Sequence, residues 1–162
     1  MDASSSDSTA AASAPALAIA RLLAEQNFAL AVPAGIGAAI LGAVLWAAVV
    51  YVTDMEIGLI AVAVGAMVGY AVRVAGKGVQ PRFGILGAVC AAFGWALGTL
   101  LCDVAFVAHS KGLPMLDILA ALNVERVERL VGIGFQPFDL VFLAIAVYEG
   151  YKFSFRARLK RR

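Results

Sequence analysis

Polar residues in this chain come in short clusters, and between the clusters apolar residues run for the length of a membrane-crossing helix. Four such runs stand out, at 28–52, 57–74, 83–107 and 138–155. A helix rises about 1.5 Å per residue, so about 20 apolar residues cover the roughly 30 Å hydrocarbon core of a bilayer. The pattern predicts an all-α polytopic membrane protein, a bundle of four transmembrane helices within residues 16–155. Between the third and fourth spans, Met115, Ile118, Leu119 and Leu122 share one helical face, and Val124, Val127 and Val131 share another. This predicts a short interfacial helix over about 115–131, bent near Asn123 where the stripe breaks. A second surface helix is expected over 16–27, with Arg21 and Glu25 an i,i+4 pair. The Ser/Ala/Asp stretch 1–15 has too little bulk to pack and is expected to be disordered. Residues 156–162 form a basic cytoplasmic tail.

Glycine patterning changes the picture inside the spans. The second span carries Gly58, Gly65 and Gly69, and the third carries Gly84, Gly87, Gly94 and Gly98. Each glycine costs a helix in water about 1 kcal/mol relative to alanine. In a bilayer, small residues let two helix backbones approach closely, and Gly65–Gly69 and Gly94–Gly98 are both GxxxG pairs. The two glycine faces are expected to meet each other, either within one chain or between two copies in a homodimer.

The turns carry their own signals. Thr53-Asp54-Met55-Glu56 has capping-box spacing, which predicts that Thr53 and Glu56 cap the second span and that Asp54 adds charge at its positive end. Pro33 falls near the start of the first span, which places the helix start at either Phe28 or Pro33. Trp46 and Tyr51 are expected at the far interface. Gly76 and Gly78 end the second span and Pro81 opens the third. The Gly76-Lys77-Gly78 run lacks the spacing and the hydroxyl of a phosphate-binding loop.

Composition rules out a separate soluble domain: 62% of the 162 residues are hydrophobic, against about 45–50% in soluble proteins. The first long apolar run has no basic segment before it and no cleavage site after it, so it is expected to stay as an anchor. Cys90 and Cys102 lie on one span about 18 Å apart, beyond disulfide reach, and are read as packing residues. His109 has no partner for a metal site. No cofactor or metal is expected.

Charge sets the orientation. The 73–82 loop holds Arg73, Lys77 and Arg82 without an acid, and the C-terminal segment holds Lys152, Arg156, Arg158, Lys160, Arg161 and Arg162. The 53–56 turn and the 103–139 stretch carry the acids Asp54, Glu56, Asp103, Asp117, Glu125, Glu128 and Asp139, with Lys111, Arg126 and Arg129 the cations of the latter. The positive-inside rule then places both termini in the cytoplasm. Lys77, Arg82, Lys152, Arg156 and Arg158 are expected against lipid headgroups. The partners expected are the bilayer and a membrane protein or second copy, and nucleic acid is not among them. Glu149, the deepest carboxylate, is expected to pair with Lys152 or with Arg73, and Asp103 and Asp139 complete the candidate polar site.

The run from Glu56-Ile57-Gly58 through Gly65-Ala66-Met67-Val68-Gly69-Tyr70-Ala71-Val72-Arg73, with the end Tyr148-Glu149-Gly150-Tyr151-Lys152-Phe153-Ser154-Phe155, resembles a group of small four-span bacterial inner-membrane proteins of unknown function. Some of these carry a zinc ribbon before the first span; this chain has no such cysteines. The resemblance implies architecture and no activity. Ser154 is the one serine in the four spans, and no HExxH or GxGD motif occurs, so no catalysis is expected. Four-span multidrug exporters need an acid deep in the first span, and here there is none. A non-catalytic scaffold or subunit of a membrane assembly is therefore expected. The alternative is a small oligomeric transporter or channel for an ion or small solute, with Glu149, Asp103 or Asp139 near its path.

Overall fold

The computed structural model of the chain describes residues 17, 19–55, 58–134 and 136–155, with the backbone alone at 130, 131, 133 and 134. The tails 1–15 and 156–162, with Arg156 and Arg158, and the capping residue Glu56 lie outside these described residues. Every regular element among them is a helix: α1 (19–24), α2 (Phe28–Thr53), α3 (Leu59–Gly76), α4 (Pro81–Lys111), α5 (Met115–Ala120), α6 (Val124–Gly134) and α7 (Pro137–Phe153). Three of them, α2, α3 and α4, are long and apolar enough to cross a membrane. The 17 residues of α7 reach about 25 Å.

Local chemistry fixes most helix ends. Asn27 caps α2 by accepting the Leu30 N–H on its side-chain oxygen at 3.1 Å. The helix therefore starts at Phe28, and Pro33 sits inside it. The Asn27 N–H donates to the Gly76 carbonyl at 2.9 Å, and the Val79 N–H donates to the Gln26 side chain at 3.4 Å. These bonds tie the start of α2 to the end of α3. Pro81 occupies the first turn of α4, and Gly112, at φ 62°, ends that helix with its N–H on the Ala108 and His109 carbonyls. Pro137 opens α7, and the Asp139 carboxylate accepts the Gln136 N–H at 2.7 Å.

Three end signals resolve differently from the sequence pattern. Thr53 does not open the second span. It is the last residue of α2, and its hydroxyl donates to the Val49 carbonyl at 2.7 Å. Asp54 follows in the left-handed region as the C-cap of α2, and the residue before α3 is Gly58, without a side-chain cap. The single bent helix over 115–131 is two helices, because Asn123 accepts the Arg126 N–H at 2.9 Å and starts α6 afresh. Asn123 is thus an N-cap, where the sequence pattern suggests only a bend.

The helices are small inside and large outside. Buried positions include Ala31, Ala39, Ala43, Ala47, Ala61, Val68, Ala91, Ala105 and Ala146, whereas Leu41, Leu45, Leu59, Tyr70, Ile85, Val89 and Phe138 are exposed. A water-soluble protein hides its large apolar side chains; large apolar side chains turned outward over a packing of alanine and glycine are consistent with a membrane protein. Trp46 and Phe83 are large exceptions: both are buried, and Trp46, expected at the interface, lies against Gly98. Tyr51 is exposed and meets His109 edge to face at 5.8 Å. Both cysteines are buried, and neither is in a disulfide.

The α2 and α7 helices lie on opposite sides of the α3–α4 pair: each touches α3 and α4, and they do not touch each other. The short helices α5 and α6 pack on α4.

At the α3–α4 turn it is Lys77, flanked by Gly76 and Gly78, that takes the left-handed conformation, at φ 48°. Gly76 and Gly78 are needed for closeness instead, since a Cβ at either would press on the Phe83 side chain. Lys77→Gly removes the left-handed penalty of about 1 kcal/mol. Thermal unfolding in detergent should show a higher midpoint for this variant than for wild type.

Candidate functional site

The glycine faces do not meet each other. Those of α3 receive α7: a Cβ at Gly58 would lie 2.5 Å from the Phe142 ring, one at Gly65 2.8 Å from the Ala146 Cα, and one at Gly69 2.8 Å from the Gly150 carbonyl oxygen. The matched positions rise together along both helices, so α3 and α7 run in the same direction. At one end of α4, Gly84 faces Tyr151, and Gly87 faces the Gly150 carbonyl and the Ser154 hydroxyl. This order is reversed, so α4 runs against α7. Further along α4 the glycines turn to α2, where Gly94 faces Ala39 and Gly98 faces Trp46. The expected pairing of the second and third spans through their glycines is therefore corrected. Both glycine rows serve other helices of the same chain.

A small-residue ridge on α7 goes unnoticed in the sequence pattern. Ala146, Gly150 and Ser154 recur every four residues, which places them on one helical face. All three are buried. Gly150 approaches so closely that a Cβ there would lie 2.6 Å from the Ala91 Cβ and 2.7 Å from the Gly87 carbonyl oxygen. Ser154 turns its hydroxyl back to the Gly150 carbonyl at 2.6 Å, which satisfies a buried polar group within its own helix. The spacing of four is the signal that could have found this ridge; the charged neighbours Glu149 and Lys152 mask it.

The candidate polar residues divide between the two ends of the helix cluster. Glu149 lies near the end where α2 starts and α3 turns into α4. Its carboxylate is 3.7 Å from the Lys152 ammonium, and the pair is only partly exposed on the glutamate side. Arg73 lies one turn beyond Gly69 on α3, at the same end. Arg82 stacks its guanidinium on Phe28 and Phe83 at 5.5 and 5.3 Å, and Lys152 sits over Tyr148 and Phe153 at 5.4 and 5.5 Å. Cations over aromatic faces at a helix end are suited to the headgroup layer. Lys77 caps the same turn, so the described cations expected at headgroups do share one end.

Asp103 and Asp139 belong to the opposite end. There a recess of about 210 Å³ opens between α2, α4 and α7, lined by Trp46, Trp95, Thr99, Gln136, Asp139 and Phe142, among others. The Trp46 indole N–H is buried there without a hydrogen-bond partner. Thr99 is already engaged, its hydroxyl donating to the Trp95 carbonyl at 3.0 Å. Asp103 follows Thr99 by one turn of α4. The recess is lined by the Asp139 carboxylate and the Thr99 hydroxyl, a setting for water or a small hydrogen-bonding molecule. Among the described residues no three His, Cys, Asp or Glu side chains gather as for a metal ion.

Protein-family models, curated proteins and solved structures contain no match to this chain.

The seam makes a contrast between glycines. Gly65→Ala must push α7 away from α3, at a cost of about 1–3 kcal/mol for overpacking. A Cβ at Gly37 would meet nothing within 4 Å, so Gly37→Ala should gain up to about 1 kcal/mol in helix propensity. Thermal melts in one detergent should move in opposite directions for the two variants.

Proposed function

We propose that this chain is a non-catalytic integral membrane protein that acts as a scaffold or subunit of a membrane assembly. The observation that carries this reading is the backbone-to-backbone closure along α7. Where Gly65 meets Ala146 and Gly87 meets Gly150, no side chain separates the helices. A solute path needs space lined by polar groups, and this seam has neither. Such an interior suits a rigid body that presents surfaces. The exposed apolar row Phe138, Val141, Ile145 and Tyr148 on α7 supports reading it as a fourth, short span. A helix of about 25 Å crosses by thinning the bilayer locally or by reaching with flanking cations, and Lys152 stands at its end.

The orientation follows from charge. Lys77, Arg82 and Lys152 share one end with the starts of α2 and α4, and this is the cytoplasmic end of a bacterial inner-membrane protein on the positive-inside rule. Both termini then face the cytoplasm. The faces left for a membrane-protein partner or a second copy are the outer ones, since the inner glycine rows are occupied.

A second reading, a small oligomeric transporter or channel, draws on the recess with the buried Trp46 N–H. Its path would involve Asp103 and Asp139 at one end and Glu149 with Arg73 at the other.

Affinity purification in mild detergent should recover one membrane partner at fixed stoichiometry. Wild type and Glu149→Gln should show the same background flux of ions in proteoliposomes; a flux present in wild type and lost in the variant contradicts the scaffold reading. A periplasmic reporter fused after Arg162 should be inactive and a cytoplasmic one active.

A further inference from the structure

At the end of the molecule away from Lys77, Arg82 and Lys152, the last turns of α4 meet α5 and α6 around a recess of about 510 Å³. Its rim carries Lys111, Arg126 and Arg129, and its walls carry Val107, Ile118 and Leu122. We propose that this recess holds the headgroup phosphate of an anionic phospholipid, with the start of the lipid's apolar part against Val107, Ile118 and Leu122.

Charge comes first. Three cations from two helices converge on one cavity, and no acid lines it. Glu125 pairs with Arg129 at 2.6 Å, and both are largely exposed, so this pair lowers the local excess without removing it. Asp117 and Glu128 lie on the same short helices but outside the lining. The Arg126 guanidinium donates to the Ala121 carbonyl, which holds the end of α5 and fixes the cation at the rim. Lys111 ends α4 and is exposed.

Depth comes second. The apolar run of α4 closes at Val107, and Lys111 stands one turn further along the same face, about 6 Å beyond at the usual rise. The recess thus passes from an apolar wall to a cationic rim over the distance that separates acyl chain from phosphate. Leu116 and Val124, strongly exposed on α5 and α6, place these helices where apolar side chains meet lipid. A free phosphate would use the cations and gain nothing from the three apolar walls; an anionic lipid uses both. The inference rests on the membrane placement alone, and holds for either orientation.

The test uses the full-length protein in mild detergent, with bound lipid counted by native mass spectrometry as phosphatidylglycerol is added. The parent for comparison is Lys77→Gln/Arg82→Gln/Lys152→Gln, which removes three of the cations of the other end. It should retain a phosphatidylglycerol that phosphatidylcholine does not replace. Adding Lys111→Gln/Arg129→Gln should weaken that binding roughly thirtyfold, the scale set by two cations near a phosphate. Arg126 is left in place because it supports α5, and Lys111→Arg should restore most of the affinity lost by Lys111→Gln. Binding that the added pair of substitutions does not change, or equal binding of phosphatidylcholine, overturns the proposal. Displacement of the lipid by millimolar inorganic phosphate would overturn it too, in favour of a site for free phosphate.

Discussion

The arrangement depends on how closely the α7 backbone can approach two other helices at once. Gly65 and Gly69 open α3 to it, Gly84 and Gly87 open α4, and α7 answers with Ala146, Gly150 and Ser154. The Gly87–Gly150 contact is reciprocal, each carbonyl lying against the other's Cα side. Such contacts carry weak Cα–H···O attraction as well as dispersion. In lipid there is no hydrophobic gain from joining two apolar helices, so close packing of this kind has to supply the attraction. A methyl group added at Gly65, Gly87 or Gly150 removes it by distance alone.

The rest of the molecule is ordered around that seam. With α7 on one side of the α3–α4 pair and α2 on the other, α4 must present small residues to both. It does so in sequence: Gly84 and Gly87 to α7, then Gly94 and Gly98 to α2. The large apolar side chains are left to the outside, as lipid requires. The two ends then differ in chemistry. One gathers cations over aromatic rings, with Glu149 beside Lys152, and is stitched by Asn27 to Gly76; the other holds Asp103 and Asp139, the Trp46 recess and the cationic cleft of α4, α5 and α6.

Much of this is legible in the residues, because lipid leaves the backbone few choices. The all-helical class, the three long apolar helices and the Pro81, Pro137 and Asp139 starts follow from apolar run length and from the chemistry of a first turn. Partner choice is not legible in the same way. A glycine row says that something comes close, and it does not say which helix, since any small or ring-bearing face fits. The α3 row takes α7 and the α4 row is divided, which depends on the whole packing. Thr53 shows the same limit at short range. Its spacing to Glu56 suits a cap, but its hydroxyl is used by the Val49 carbonyl one turn back. Ser154 looks in the sequence like a serine at an edge; its burial follows from the four-residue repeat with Ala146 and Gly150, a pattern that the adjacent charges hide. The separation of the two polar ends also emerges only when the helix directions are known.

The most direct measurement asks whether α7 lies on the glycine face of α3 within one chain. A Cβ at Gly69 lies 2.9 Å from the Phe153 Cβ, so a cysteine at each position needs only a small adjustment to reach disulfide geometry of about 3.5–4.5 Å. With Cys90 and Cys102 changed to alanine, Gly69→Cys/Phe153→Cys should form an intrachain disulfide on mild oxidation in native membranes. It would appear as a monomer of altered, reductant-sensitive mobility. A disulfide-linked dimer as the main product, or no cross-link at all, would mean that the α3 glycine face is filled by another chain or by another helix.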